Sequence, residues 1–198
     1  MGLELAREAA ARGASVELVA ANVAERAGDG VLQHDVSSAA ELEACCRELF
    51  PACDLLLMAA AVADYRPIDP ASGKLDKSQA DALTLRLERT TDVLAALAAE
   101  RRPGQTLVGF AAESGEQAFS RAAEKLERKG LDMVVANDIS NPAIGFDSTE
   151  NEVVLVTRCG RERIARAPKR KIAAAILDCA ESLRAARQSG SAPAPQTH

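Results

Sequence analysis

The chain has 198 residues, with 24 Lys+Arg against 29 Asp+Glu, a net charge of −5 and 47% hydrophobic residues. This is enough for one α/β domain with a full core, and the acidic balance sets aside general attraction to nucleic acid or an anionic membrane. The opening MGLELAREAAARG is no signal peptide, and no apolar run reaches the roughly 20 residues that span a bilayer.

Residues 2–12 read as a helix rich in Leu and Ala, with Gly13 suited to the residue after its end. SVELVA (15–20) and VLQHDV (31–36) read as strands, and Ser37-Ser38 caps a helix over 39–49. DLLLM (54–58) is a continuous apolar run, the mark of a strand buried on both faces. A loop with two prolines and one glycine fills 63–80, and ALTLRLE (82–88) alternates with the period of a half-exposed strand. A helix over 92–101 ends at Pro103-Gly104; a strand at 106–110, a helix at 115–129 and a strand at 133–136 follow. After a loop over 137–151, residues 152–157 and 162–166 form a hairpin around Cys159-Gly160. Pro168 suits the first turn of a last helix reaching Ala186, which closes the domain; residues 187–198 read as a disordered tail.

The alternation of helix and strand implies a Rossmann-like, doubly wound, mostly parallel α/β sheet with helices on both faces and a small β flap or hairpin. Such a sheet normally opens with a central strand feeding its first helix through a glycine-rich turn. Here the sequence opens directly in a helix, so the expectation is a sheet lacking its first strand and that loop.

Five cysteines (Cys45, Cys46, Cys53, Cys159 and Cys179) without CxxC spacing argue against a disulfide framework or a structural zinc site. Reduced thiols in a cytoplasmic protein fit better. His34 and His198 are the only histidines, which leaves little basis for histidine-centred catalysis.

Polar clusters follow several of the strands. Small residues Ala59–Ala61 end the run 54–58 and leave backbone groups open to a ligand, with Asp64 able to accept from an exocyclic amine; a tight turn with a surface aspartate is the plainer reading. Gly73-Lys74-Leu75-Asp76-Lys77 places two lysines in a loop that either closes over phosphates or is simply solvated. Phe110 either stacks on a base or fills the core. Lys125 and Lys129 share a helix face at i, i+4 and either clamp phosphates or pair with Glu124 and Glu127. Asn137 and Asp138 end another strand and either present polar groups to a ligand or shape a turn.

Taken together, AAAVADYRP, GKLDK, GFAAES, KLERKGLD, VVANDIS and GFDSTENEV resemble, in order and spacing, the bacterial phosphopantothenate–cysteine ligases over roughly residues 1–185. The resemblance implies an enzyme of coenzyme A synthesis using CTP and Mg²⁺. The 4′-phosphopantothenate carboxylate attacks the CTP α-phosphate to give an acyl-cytidylate, and the amine of L-cysteine then displaces CMP. It implies that Ala59 and Ala60 meet the cytosine through backbone groups and that Asp64 helps read it. Lys74 would be the catalytic flap lysine, Phe110 would pack at the nucleotide, and Lys125 and Lys129 would contact CTP. It implies a nucleotide-binding role for Arg89, Thr90, Thr91 and Asp92, which stand where the family usually has Lys-Asn-Pro-Asp with both the Asn and the Pro replaced by Thr, and Asp76 replaces a flap lysine. The metal ligands are not assigned. A homodimer is implied, with 65–88 and 152–166 as pairing and flap elements. The family also carries a Gly-Gly-Thr type loop and an Asn-Arg-Ser-Ser-Gly-Lys segment ahead of Met1-Gly2, which leaves a non-catalytic nucleotide-binding or dimerising domain as the alternative. A short-chain NAD(P) oxidoreductase fits worse: Tyr65 is followed four residues later by Asp69 rather than lysine, and no GxGxxG occurs.

Overall fold

The first expected helix is α1 (Gly2–Ala11), which stops where Gly13 adopts φ +84°. In this computed structural model the described residues are 1–71, 73, 82–113, 118–138 and 149–188. The next strands are β1 (Val16–Ala21) and β2 (Val31–Val36). Ser38, in extended conformation, caps α2 (Ala39–Leu49) by accepting from the Glu41 N–H, while the Glu41 carboxylate accepts from the N–H and hydroxyl of Ser37. The Ser38 hydroxyl thereby satisfies one of the N–H donors that the first turn of a helix otherwise leaves orphaned, and the Glu41 carboxylate fixes the residue before the cap.

A 3₁₀ turn (Phe50–Ala52) leads to β3 (Leu55–Met58), followed by the short strands β4 (Tyr65–Pro67) and β5 (Leu87–Arg89). Asp92 caps α3 (Val93–Ala99) by accepting from the Ala95 N–H at 3.1 Å. Then come β6 (Thr106–Glu113), α4 (Ala118–Arg128), β7 (Met133–Asp138), β8 (Glu150–Thr157), β9 (Gly160–Pro168) and α5 (Lys169–Gln188).

The main sheet has the order β3-β6-β7-β8-β9. It is parallel across β3, β6 and β7 and antiparallel from β7 to β9. β1 and β2 pair in parallel as a separate two-stranded sheet. Val19 and Ala21 of β1 pack on the same cluster as Leu56 and Met58 of β3, yet no ladder joins these two strands. Among the described residues the two parallel parts are thus separate sheets that share one core layer.

Strand alternation sorts the core into two layers. Leu107, Val134, Ala136, Val154 and Val156 pack with Leu42 of α2, Leu94 and Leu97 of α3 and Leu126 of α4. Val108, Met133, Val135, Val153 and Leu155 pack with Leu5 of α1 and Ile172, Ile176 and Leu177 of α5. Burying each such aliphatic side chain stabilises the fold by about 1.5–3 kcal/mol. Gly109 makes the first layer possible: a Cβ there would lie 2.8 Å from Leu131 Cδ1 and 2.9 Å from Leu94 Cδ2.

Several expected boundaries are corrected. The run at 54–58 is not buried on both faces, because Leu55, Leu56 and Leu57 are half-buried in a strand that pairs only with β6. The loop at 63–80 contains β4, whose three-residue length caps its ladder with β5 at 87–89, so the strand expected over 82–88 is mostly outside any ladder. β6 continues past Phe110 because Ala111 and Ala112 pair with Ala136 and Asn137. Asn137 and Asp138 accordingly belong to β7 rather than to a turn. Pro168 ends β9 opposite Glu150, α5 starts at Lys169, and α5 runs to Gln188, two residues beyond the expected domain end. Residues 189–198 lie outside the described residues.

Candidate functional site

In a parallel sheet the strand ends that face ligands are the C-terminal ones. Beyond the end of β3, Ala59 is half-buried and Ala60 exposed. A Cβ on Gly2 would sit 3.8 Å from Ala59 Cβ, so the start of α1 adjoins the end of β3. The chain then runs through the exposed Asp64 into β4. The β4–β5 ladder returns it: Tyr65 faces Arg89, the Thr90 N–H donates to Asp64 O at 3.0 Å, and the Thr90 hydroxyl donates to Ala63 O. The segment 89–92 is therefore held against 63–65. The two stretches are separated by about twenty residues of sequence, and this contact is the one that turns the separate motifs into one locus.

Asp92 ties that locus to α4. Its carboxylate lies 2.6 Å from Lys129 Nζ while also capping α3. Burial pushes the Asp92 carboxyl up, but the bonds from Lys129 and the Ala95 N–H, with the charges of Lys129 and Lys125, outweigh it and hold the group below its ordinary value. One turn earlier, Lys125 Nζ donates to Phe110 O at 2.5 Å. The two lysines share a face as expected, yet their ammonium groups reach different elements, one the main chain of β6 and the other the first turn of α3. Glu127 lies 3.7 Å from Arg158. Phe110 itself is half-buried and packs with the α1 and α5 layer, so its ring serves the core while its carbonyl meets Lys125.

The structure thus brings together Asp64, Arg89, Thr90, Thr91, Asp92 and Lys129, with Lys125 and Phe110 alongside and Ala59 and Ala60 leading into the locus. Lys74 and most of the expected flap fall outside the described residues. Sequence reasoning passed over Arg66, which stands beside Tyr65 in β4 and pairs with Glu88 at 2.8 Å. Its signal was the DYRP string itself, read only for its aspartate.

At the opposite, N-terminal edge of β6 and β7 lies a purely structural network that the sequence reading missed. The buried Asp132 carboxylate accepts from the Leu107 N–H at 2.8 Å and from Arg101 at 2.9 Å, and it pairs with Arg187 of α5. Gln105 beside it bonds to the carbonyls of Phe50 and Cys53. A buried carboxylate needs such partners, and these lie 25 to 55 residues from Asp132 in sequence.

With this geometry in hand, comparison with known proteins is informative. Residues 1–183 match the family described as DNA/pantothenate metabolism flavoprotein C-terminal domain. The chain is 37% identical over 180 residues to the Coenzyme A biosynthesis bifunctional protein CoaBC of Vibrio cholerae, covering 89% of this chain and 44% of that protein. It is 35% identical over 179 residues to a prokaryotic protein named cysteine/cysteine sulfinic acid decarboxylase, covering 89% of this chain and 49% of that one. The chain spans about half, or slightly less, of the length of these curated relatives. Among solved structures, the C-terminal domain of CoaBC superposes with a TM-score of 0.75 at 30% identity, covering 92% of this chain and 81% of that one. The Streptococcus pneumoniae DNA/pantothenate metabolism flavoprotein, at 17% identity and the same TM-score of 0.75, shares the fold over 90% of this chain and 86% of its own. The chain belongs to the DNA/pantothenate metabolism flavoprotein C-terminal domain family, to which its fold also points.

Proposed function

We propose that the chain is a phosphopantothenate–cysteine ligase domain that activates 4′-phosphopantothenate with CTP and then transfers it to L-cysteine. The observation that carries this reading is the locus beyond β3 and β5, where Lys129, Asp92, Thr90 and Asp64 are joined by direct contacts and Lys125 lies alongside on the same helix face. Family membership supports it. A Cab2 variant in complex with phosphopantothenate-cysteine has the same fold over 81% of this chain, with a TM-score of 0.61 at 15% identity.

The chemistry asks for charge control more than for a nucleophilic side chain. A substrate carboxylate oxygen attacks the α-phosphorus of CTP, the bond to the bridging oxygen breaks, and pyrophosphate leaves. The cysteine amine then adds to the acyl carbon, loses a proton, and CMP departs. In the first step negative charge builds on the departing phosphates, and lysines already positioned by main-chain and carboxylate contacts meet it with little reorganisation. Lys125 from α4 and Lys129 just beyond its last residue would fill that role, and Lys74 would add a third charge from the flap. Backbone groups at Ala59 and Ala60 and the carboxylate of Asp64 would read the base.

Mg²⁺ commonly binds through one or two carboxylates plus substrate phosphates rather than in an all-protein cage. The residues here fit that mode. Asp64 is exposed, and its carboxylate has no bond among the described residues, so it is able to serve either the base or the ion. When bound, the ion would neutralise phosphate charge.

We also infer a homodimer, supported by Tyr65, Ile68, Leu83, Leu85 and Leu87, large hydrophobic side chains exposed along the β4–β5 arm. A cytoplasmic setting is supported by five cysteines that form no disulfide. No helix among the described residues is long and apolar enough to cross a membrane.

A melting experiment tests the nucleotide reading. CTP with Mg²⁺ at millimolar concentration is expected to raise the melting temperature of the native chain, since a ligand stabilises in proportion to RT ln(1 + [L]/Kd). No shift with CTP or ATP would remove the nucleotide from this site.

A further inference from the structure

In the β8–β9 ladder Val156 faces Arg161 and Val154 faces Arg163. Directly paired residues share a face of the sheet, and Val154 and Val156 pack in the layer that holds Leu126 of α4. Arg161 and Arg163 therefore lie on the α4 side of the hairpin. α4 rests on β7 and β8, while β9 is the edge strand. Between the first turns of α4 and the hairpin opens a groove of about 620 Å³, lined by Phe119, Ser120 and Ala123 of α4 and by Val156, Gly160 and Arg161. Small-molecule sites span roughly 300–1,000 Å³. By the helical period, Phe119, Ser120 and Ala123 lie on the side of α4 away from Lys125, so the groove is separate from the locus beyond β3 and β5.

We propose that this groove binds a small organic anion with an aromatic or acyl body. The charge pattern of the hairpin carries the choice of an anion. Arg158 lies 3.7 Å from Glu127, Arg163 donates through Nε to Glu152 at 2.7 Å, and Arg166 donates to Glu150 at 2.7 Å. Arg161, on the same strand, makes no ion pair or hydrogen bond among the described residues. Its guanidinium lies instead 5.5 Å from the centroid of the Phe119 ring. A ring attracts a cation through its π face without using up the five N–H donors of the guanidinium. Arg161 is thus held in place at the groove with donors to spare.

The walls call for an apolar body. Phe119 is 36% exposed, and Val156 beside it is buried. Ala123 and Gly160 keep the space open: a Cβ built on Gly160 would meet nothing within 4 Å. The chain's own polar groups are turned elsewhere. The Thr157 hydroxyl accepts from the Cys159 N–H at 3.2 Å and donates to Gly160 O at 3.3 Å, inside the hairpin turn. Glu127 and Glu152 are engaged by Arg158 and Arg163, and Glu162 faces Leu155 on the α5 side of the sheet. A ligand ring or acyl chain would cover Phe119 and Val156 while its anionic group met Arg161 with charge-assisted hydrogen bonds.

The test titrates the native chain, labelled with ¹⁵N, with 8-anilinonaphthalene-1-sulfonate and separately with its uncharged analogue N-phenyl-1-naphthylamine. Saturable shifts of the amides around Phe119, Ala123 and Gly160 are expected with both, and tighter binding of the sulfonate. Arg161→Gln, at an exposed position, should weaken the sulfonate roughly fivefold or more and leave the uncharged amine within about twofold. Ala123→Leu, also at an exposed position, fills the groove without touching charge and should weaken both probes. CTP with Mg²⁺ should leave the sulfonate bound, which keeps this site's fate distinct from that of the ligase reading. Absence of saturable shifts at these amides, an unchanged sulfonate affinity in Arg161→Gln, or displacement of the sulfonate by CTP overturns the site. Shifts of the same amides on dilution of the free chain overturn it as well, because a second copy would then be the occupant.

Discussion

Lys129 Nζ sits 2.6 Å from the Asp92 carboxylate, so the end of α4 is tied to the cap of α3. The pair does two jobs. It steadies the segment 89–92 against the sheet, and it presents a lysine whose charge is only partly neutralised, because Asp92 also serves the Ala95 N–H.

This arrangement has a signed pH dependence. The Asp92 carboxyl is held below its ordinary value in the folded chain, so ionised Asp92 stabilises the fold above the unfolded value, near pH 4, and that contribution is lost as pH falls through the lower folded value. Asp92→Asn keeps a good cap but discards the charge. Because the carboxylate is about half exposed, the expected loss at pH 7 is about 1 kcal/mol or less. Urea melts of wild type and Asp92→Asn should differ at pH 6 and converge toward pH 3. A constant gap would mean that Lys129 does not depress this group.

Lys125 is expected to matter for the nucleotide more than for the fold. Its ammonium donates to the Phe110 carbonyl of β6, an interaction contributing on the order of 1 kcal/mol. Lys125→Gln should weaken CTP several-fold, with an unfolding midpoint close to wild type. Calorimetric titration of the variant measures the first and a thermal melt the second.

Asp132 shows the opposite balance. Its side chain is 5% exposed and carries Arg101, Arg187 and the Leu107 N–H. Asp132→Ala leaves two guanidinium groups facing an emptied buried site and should cost about 3 kcal/mol or more, seen as a fall in the urea midpoint at unchanged slope. Substrate affinities of the protein that remains folded should not change, since the network lies at the sheet edge remote from the locus.

Cys46, buried, and Cys179, half-buried, provide a probe of the core layers. Burial pushes Cys46 and Cys179 each up to about 11. At pH 7.5 their thiolate fractions are about a hundredfold below that of an ordinary thiol, and maleimide should modify them correspondingly slowly until the chain unfolds. Labelling followed by peptide mass analysis reads this residue by residue. Rapid modification of Cys179 in the native chain would show that α5 is not docked on its layer.

Much of this architecture was legible because local and tertiary preferences agree. The Ser38 cap, the Gly13 stop and the VLQHDV strand appear where side-chain chemistry puts them. What stayed hidden depends on partners distant in sequence. Tyr65–Pro67 is too short and too exposed to announce a strand, and only its pairing with Leu87–Arg89 makes it one. The alternation in ALTLRLE looked like a full strand because period two reports a pattern of faces and not the length of the partner. Ala111 and Ala112 looked like a strand's end but are held in β6 by β7. The same limit applies to the site. Residues of Asp64 and Lys125 type were visible as strand-end and helix-face candidates. The contacts that join Thr90 to Ala63 and Asp64, and Lys129 to Asp92, are products of the fold.

The most direct measurement is pyrophosphate release by the native chain given CTP, Mg²⁺ and 4′-phosphopantothenate, first without L-cysteine and then with it. Release that requires the acyl substrate, followed by CMP formation when L-cysteine is added, is the expected result. A folded chain that binds CTP but releases no pyrophosphate under any of these conditions would contradict the proposed ligase activity.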